Sequence, residues 1–179
     1  MASPGLSLGA VAPITDGRNE LNFSAAEIVL REIELQPVET VDCDSAVDED
    51  ACEEFETGPL LLQLPLDGRT AIAVTIPIEP GSYDELEFEI HKVSGDDADD
   101  AAFVAAHPHM ANLSIRMEGA FNGEPFTYET DLDVEQEFDL PTPIVIDETT
   151  VTTNVTVRMD VGAWFRDEFG TLVHPALGN

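Results

Sequence analysis

Basic residues are nearly missing from this chain. Seven Lys and Arg stand against 37 Asp and Glu, which gives a formal net charge of −30 on 179 residues, and Lys92 is the single lysine. Such a surface repels phosphate and anionic lipid headgroups, so nucleic-acid binding and attachment to anionic membranes are both disfavoured. Its self-repulsion opposes compaction until salt shortens the Debye length, to about 3 Å near 1 M. The composition favours a protein of a salt-adapted microbe.

Long apolar runs are also missing. No stretch reaches the roughly 18 consecutive apolar residues that a membrane span needs, so we expect no transmembrane segment. The start, Met1 to Gly5, has neither the basic region nor the apolar region of a signal peptide. We expect that an export signal or a lipid anchor precedes this sequence in the natural protein, which places the domain outside the cell or on its surface. The alternative is a cytoplasmic protein that begins at Met1.

Catalytic motifs are missing as well. The chain has no Gly-x-Ser-x-Gly, no phosphate-binding loop and no Gly-x-Gly-x-x-Gly. Neighbouring carboxylates are expected by chance at this acidity and indicate no glycosidase cleft. We therefore predict that the protein is not an enzyme and that it has no catalytic or cofactor-binding residues.

Cysteine is scarce, and its placement is informative. The two cysteines, Cys43 and Cys52, lie close together in an acidic stretch without a nearby histidine. This spacing favours a disulfide over a zinc site and hence an oxidising compartment. The alternative is a pair of free thiols, although free cysteines are usually buried.

Alternation of apolar and polar residues dominates what is present. Four stretches place apolar side chains on one face at every second position, as half-buried strands do. They are Leu60–Leu66, Ile72–Ile78, Glu85–Lys92 and Thr150–Val161. Turn signals separate the strands, and no βαβ alternation occurs. We predict an all-β antiparallel sandwich of seven to eight strands, with residues 1–20 as a terminal segment or edge strand and residues 21–179 as a single domain.

Three local features are predicted in more detail. Asn122-Gly123 is typical of a type I′ hairpin turn, which sets Phe121 opposite Glu124 and continues the pairing to Leu113 opposite Leu132. In Leu21–Pro37 the apolar residues change parity near Arg31-Glu32, which predicts a bulge there. Ala98–Ala106 is predicted as the one short helix because it is rich in alanine and begins among acidic residues.

A family resemblance rests on three segments. They are Leu21–Leu35, the Leu-Leu-x-Leu strand after Gly58-Pro59, and the Pro80-Gly81-Ser82-Tyr83 turn that leads into a strand. Together they resemble a family of secreted bacterial and archaeal domains, the domain-of-unknown-function family numbered 4382, over the first half of the chain. The resemblance implies an exported, often lipid-anchored β-sandwich of transthyretin-like style and supplies no catalytic residues.

Candidate ligand-binding residues fall into three groups. The acidic loop, residues 42–56, offers the dense carboxylate oxygens that Ca²⁺ prefers, although EF-hand spacing is missing and a solvated loop is the alternative. His107 and His109 could bind Zn²⁺ or Cu²⁺, with an exposed helix end as the alternative. Trp164 could stack on a sugar ring or contact a protein partner, or it could instead close one end of the sandwich. The calcium candidates in the acidic loop are Asp42, Asp44, Asp48, Asp50 and Glu53.

Three functional hypotheses follow from these features. The first is a non-catalytic secreted or cell-surface domain, lipoprotein-like, that binds divalent cations loosely and acts in envelope structure or adhesion. The second is a module that binds a glycan or a protein through Trp164 or the His107–His109 loop. The third is a subunit of an extracellular filament, assembled by strand exchange through Leu6–Ala12 or Thr171–Leu177.

Overall fold

The fold is an all-β antiparallel sandwich, as the alternating pattern predicts. The computed structural model describes residues 13–38, 58–66, 78–147 and 155–177. Within these ranges lies one short helix, α1, beside three single 3₁₀ turns at Pro108–Met110, Ala163–Phe165 and Pro175–Leu177. The strands are β1 (Ile14–Thr15), β2 (Glu20–Pro37), β3 (Leu60–Gln63), β4 (Gly81–Ile90), β5 (Ile115–Phe121), β6 (Glu124–Thr130) and β7 (Val134–Ile146), and α1 spans Ala101–Ala106 between β4 and β5.

The long strand β2 organises the sheet. The strand order is β6-β5-β2-β4-β7, and β1 and β3 also pair with β2. Glu27 pairs with both β3 and β5, whereas Leu30 pairs with both β3 and β4. Because a residue has only two neighbours in a sheet, β5 and β4 follow one another along one edge of β2, and β3 lies on the opposite edge. β2 therefore joins β5 and β6 to β4 and β7 within one seven-stranded sheet.

Two bulges keep the apolar side chains of β2 on the core side. The predicted one is confirmed: the register shifts between Arg31 and Glu34, and Glu32 has a φ of 51°. A second shift, between Phe23 and Ala25, was not predicted from the sequence. After each shift the apolar side chains of β2 point to the core again, whereas strict alternation would turn them outward.

Apolar side chains form a core on one face of the sheet and a smaller cluster on the other. The core joins residues of β2, β4, β5 and β6 with Phe165 and Leu172 of the C-terminal segment. On the outer face, α1 and the turn after it cover part of β2 and the residues that follow β4. The buried members of this outer cluster are Val29, Val93, Phe103 and Met110.

The predicted hairpin is confirmed in register from the turn to Ile115, which pairs with Thr130. Both turn residues have positive φ, 51° at Asn122 and 84° at Gly123, as a type I′ turn requires. The predicted pairing of Leu113 with Leu132 is wrong. The ladder ends at Ile115, and Leu132 is 46% exposed because the chain leaves the sheet there.

Other expectations need correction. Residues 155–160, predicted as part of a strand, have no regular structure and are mostly exposed. Their β-branched residues favour a strand only where a partner is present, and the free edge of β4 is taken by β7. β7 itself was not predicted, because Pro141 and Pro143 interrupt its pattern. The ladder between β4 and β7 skips both prolines, which an edge strand tolerates.

The remaining expectations concern the helix and the Ile72–Ile78 strand. α1 begins at Ala101 rather than Ala98, and its N-cap, Asp100, makes no side-chain cap hydrogen bond. Most of Ile72–Ile78 lies outside the described residues. In the ranges that the structure describes, no helix has the length and apolarity to cross a membrane.

Candidate metal centre

A double row of carboxylates follows β4 and β7 on the outer face of the sheet. Strand periodicity places every second residue of β4 on this face, and its neighbours on β7 are also acidic. We call this set the acidic ladder. Its directly opposed pairs are Glu85–Asp139, Glu87–Glu137 and Glu89–Glu135. Glu34 of β2 lies opposite Glu87 on the other side of β4.

The register of the acidic ladder is imposed by the apolar face behind it. Leu86, Phe88 and Ile90 are buried in the core, and the Phe88 ring stacks on Phe138 of β7 with 5.6 Å between centroids. A slip of one residue would expose this apolar set. The carboxylates must therefore face one another, although like charges directly opposite are destabilising.

The crowding of carboxylates changes their protonation. The pKa of Glu87 is raised from 4.5 to about 7, first by a hydrogen bond with the Glu135 carboxyl group and then by burial. The pKa of Glu85 is also raised, first by burial and then by the charges of Glu137 and Asp139. Glu87 is therefore partly protonated near neutral pH, because a full negative charge on each of these carboxyl groups is unfavourable. One carboxylate oxygen from each of Glu85, Glu87 and Glu137 lies within 4.8 Å of the others.

A second group of possible ligands lies just beyond the end of β4, on the same outer face of the sheet. His91 is two residues beyond Glu89 and is buried because α1 and its preceding loop cover this end of the outer face. Its Nε2 lies 2.9 Å and 3.1 Å from the two carboxylate oxygens of Asp100. Asp100, 1% exposed, also accepts a hydrogen bond from the Ser94 backbone N–H at 2.8 Å.

The other ring nitrogen of His91 faces two more carboxylates. Nδ1 lies 3.6 Å from Oε1 of Glu89 and 3.9 Å from Oδ1 of Asp133, which directly precedes β7. It is buried and has no hydrogen-bond partner. One ligand atom from each of the three residues lies within 4.8 Å of the others. Glu89 and Asp133 line an open depression together with Glu32, Glu87 and Glu135. An imidazole and two carboxylates are a ligand set for a divalent metal.

Arg31 supplies positive charge to this region. Its Nε lies 3.1 Å from Oε2 of Glu89, and its Nη2 lies 2.7 Å from Glu32. Burial raises the pKa of Glu89, as does a hydrogen bond with the Asp133 carboxyl group, while Arg31 opposes both effects. Because Arg31 approaches Oε2, the other oxygen of Glu89 stays directed toward His91.

The metal candidates predicted from the sequence are not the residues of these two groups. Cys43, Cys52 and the calcium candidates of the acidic loop are outside the described residues, so the disulfide and the calcium site stay predictions. His109 Nε2 lies 3.1 Å from a Glu27 carboxylate oxygen. The His107 ring packs on Phe103 at 4.7 Å and lies 6.2 Å from the His109 ring. In the described part of the chain, no group of three metal-ligating side chains includes either of these histidines.

Trp164 lies on a 3₁₀ turn at the surface. Trp164 is 43% exposed, whereas the neighbouring Phe165 is buried. Phe165 packs against Phe23 at 5.6 Å and Tyr128 at 5.1 Å. Phe165, rather than Trp164, therefore closes this end of the core, and ligand binding by Trp164 stays a prediction.

The sequence contains one local pattern that points to the His91 group, but the many acidic residues of the chain make it hard to recognise. In Glu89-Ile90-His91, two ligand types are separated by one residue on a strand, so they lie on the same face. Asp133 and Asp100 join them only through the pairing of β4 with β7 and the packing of α1. Among 37 acidic residues, no local pattern distinguishes these two.

Comparison with known proteins gives no relative. No family model matches the chain, and neither the curated proteins nor the solved structures contain a match. The resemblance to family 4382 stays a prediction.

Proposed function

We propose that this chain is a non-catalytic secreted or cell-surface domain of a salt-adapted microbe that binds divalent cations on the acidic ladder and acts in envelope structure or adhesion. The observation that carries this proposal is the in-register opposition of carboxylates on β4 and β7. A cation placed between opposed carboxylates replaces their repulsion with two attractions. Folding and cation binding then support one another.

The chemistry of the ladder favours Ca²⁺. Its candidate ligands, Glu85, Glu87 and Glu137, offer only carboxylate oxygens, and the site is open to water that can complete the coordination shell. Ca²⁺ takes six to eight oxygen ligands in flexible geometry. Mg²⁺ demands a stricter octahedron and loses its water reluctantly, so we expect it to bind more weakly.

The surroundings implied by the sequence agree with this role. A chain of net charge −30 needs electrolyte, and monovalent salt screens exposed pairs without occupying the ladder. The predicted Cys43–Cys52 disulfide and the resemblance to exported, lipid-anchored domains support a location outside the cell, where Ca²⁺ is available.

Thermal unfolding with and without Ca²⁺ in 1 M NaCl tests the cation part of the proposal. We expect Ca²⁺ to raise the Tm of the wild type, by an amount equivalent to about 2.7 kcal/mol once Ca²⁺ reaches a hundred times its Kd. The double variant Glu87→Gln/Glu137→Gln should lose most of this increase. The matched control, Glu124→Gln/Glu168→Gln, removes two exposed carboxylates away from the ladder and should keep it. No Tm increase in the wild type, or equal losses in both variants, would contradict the proposal.

Exposed aromatic side chains favour the ligand-binding module as a second candidate. Trp164 is 43% exposed and Phe169 is 84% exposed, both on the C-terminal segment. Large aromatic surface of this kind is typical of glycan and protein contacts. Unchanged glycan-array binding after Trp164→Ala would count against this candidate.

The filament hypothesis gains no support from the tail. Leu172 is buried, and its N–H donates to Asp16 at 2.8 Å, so this part of Thr171–Leu177 lies on its own domain. Leu6–Ala12 lies outside the described residues.

A further inference from the structure

His91 has one satisfied ring nitrogen and one that is not. Asp100 accepts the Ser94 N–H and faces Nε2 of His91 with both oxygens. A buried carboxylate that already accepts a backbone hydrogen bond also accepts from the imidazole, so the ring proton belongs on Nε2. In the neutral ring, Nδ1 is then a bare lone pair.

That lone pair faces acceptors. The groups nearest to it are the carboxylates of Glu89 and Asp133, which accept hydrogen bonds but do not donate them when ionised. A proton on Nδ1 does not resolve this arrangement well, because 3.6 Å and 3.9 Å exceed the roughly 2.7–3.2 Å of a hydrogen bond. A buried nitrogen without a hydrogen-bond partner is costly, and a cation bound between these three atoms would provide the missing partner.

We propose that Nδ1 of His91, Oε1 of Glu89 and Oδ1 of Asp133 bind one first-row divalent transition-metal ion, for which Zn²⁺ is the test ion. Metal–ligand bonds of 2.0–2.2 Å in a tetrahedron set the ligand atoms about 3.3–3.6 Å apart. The spacings of 3.6 Å and 3.9 Å from Nδ1 need only a small contraction. Three protein ligands leave a fourth position for water on the side of Asp133, whose side chain is 50% exposed.

Neighbouring residues hold two of the ligands in place. Asp100 fixes the tautomer and orientation of His91, as carboxylates commonly do for metal-bound histidines. Arg31 contacts Oε2 of Glu89 and leaves Oε1 toward the metal. The cover provided by α1 keeps water from Nε2. Asp100 and Arg31 are positioning residues, and neither is proposed to touch the ion.

This site differs in chemistry from the acidic ladder. An imidazole nitrogen favours Zn²⁺, Fe²⁺, Ni²⁺ or Cu²⁺ over Ca²⁺, whereas ligands that are all carboxylates favour Ca²⁺ or Mn²⁺. The transition-metal site therefore stands or falls independently of calcium binding by the ladder.

Titration of the full chain with Zn²⁺, and separately with Co²⁺ as a spectroscopic probe, tests the site. Both titrations are done in 1 M NaCl with excess Ca²⁺, which occupies sites that offer only oxygen. We expect one Zn²⁺ per chain and visible Co²⁺ absorption of the intensity that four-coordinate Co²⁺ gives. Asp133→Asn should weaken Zn²⁺ binding at least about tenfold and remove the Co²⁺ band.

Two control variants make the test specific. Asp131→Asn removes the same charge two residues away, where the side chain contacts Lys92, and should leave Zn²⁺ affinity unchanged. His109→Gln removes a histidine predicted from the sequence to bind metal and should also leave it unchanged. Equal Zn²⁺ affinity in the wild type and Asp133→Asn, or loss of binding in His109→Gln instead, would overturn the proposal.

The positioning role of Asp100 has its own measurement. Asp100→Asn replaces a carboxylate by an amide and should weaken Zn²⁺ about 10–100-fold, with a shift in the ¹⁵N resonances of His91 that reports the ring tautomer. Folding of the variant is checked by Tm in the presence of EDTA. If Asp100→Asn folds and binds Zn²⁺ as the wild type does, Asp100 does not position the ligand. Glu87→Gln/Glu137→Gln should keep Zn²⁺ binding while losing the effect of Ca²⁺, which separates this proposal from the proposed function.

Discussion

The sheet contains two antiparallel ladders that solve the same packing problem in different ways. The β5–β6 hairpin and the β4–β7 ladder each turn one apolar face to the shared core. On the outer side of the hairpin, Arg116 lies 3.2 Å from its cross-strand partner Glu129, so opposite charges meet. On the outer side of β4–β7, every pair from Glu85 to Glu89 is acidic on both strands. The hairpin therefore has a cross-strand ion pair, whereas the opposed pairs of the acidic ladder join like charges, with Arg31 in contact at Glu89.

The largest effect is expected inside the hairpin. A Cβ at Gly119 would overlap the Asn22 carbonyl oxygen and lie 2.9 Å from the Phe126 ring. Since backbone cannot yield here, Gly119→Ala should destabilise the fold by about 3 kcal/mol. Chemical denaturation measures the loss. The control is Gly123→Ala, which has open space but a φ of +84° and should cost only about 1 kcal/mol. Equal costs would show that the strands do not pack as described.

An effect of intermediate size is expected from pH in the acidic ladder. The folded pKa of Glu87, about 7, exceeds its unfolded value of 4.5, so the folded state binds the extra proton between these limits. Stability from this group is fully present below about pH 4.5 and is lost as pH rises through about 7. Wild-type Tm in EDTA and low salt should fall across this window.

Glu87→Gln is the control for that pH dependence. The variant should show a flatter Tm profile between pH 4.5 and 7 and should be more stable than the wild type at pH 8 by about 1 kcal/mol, because opposed like charges are relieved. A wild-type profile that rises across the window, or a variant with the same slope, would remove Glu87 as its cause.

The smallest effect is expected from the charge pair on the hairpin. Arg116→Gln should destabilise the fold by about 0.5 kcal/mol in low salt and by less in 1 M salt, because the contact is exposed. Arg116→Gln and Glu87→Gln should change the free energy of unfolding in opposite directions. Loss of charge should weaken the hairpin and strengthen the ladder at pH 8. If both variants changed stability at pH 8 in the same direction, the distinction between the two regions would be wrong.

These regions also differ in how far the sequence predicts them. The hairpin follows from a two-residue turn, Asn122-Gly123, that fixes each pair from the turn to Ile115 and Thr130, so local information is sufficient there. The partner of β4 is β7, which is distant in the chain. Its two prolines, Pro141 and Pro143, are typical of a loop rather than a strand. The acidic ladder is therefore not predictable from the sequence, although the alternation in Glu85–Lys92 places Glu85, Glu87 and Glu89 together on the face opposite the apolar residues.

The His91 group shows the same limit. Glu89 and His91 share a face by simple alternation, which the sequence reveals. The register of β4 and β7 brings Asp133 close to His91, and the loop before α1 brings Asp100 close to it. Both placements depend on tertiary packing. The bulge near Glu32 was predictable because a change of parity within one strand is a local signal.

Proton release on Ca²⁺ binding is the most direct test of the claim that the acidic ladder holds a cation. At pH 7 a carboxyl group with a pKa of about 7 is half protonated, so a bound Ca²⁺ should displace about half a proton from Glu87. Calorimetric titration in 1 M NaCl, in two buffers of different ionisation enthalpy, measures this number. The account predicts about half a proton released by the wild type and close to none by Glu87→Gln. Binding without proton release, or equal release from both proteins, would contradict it.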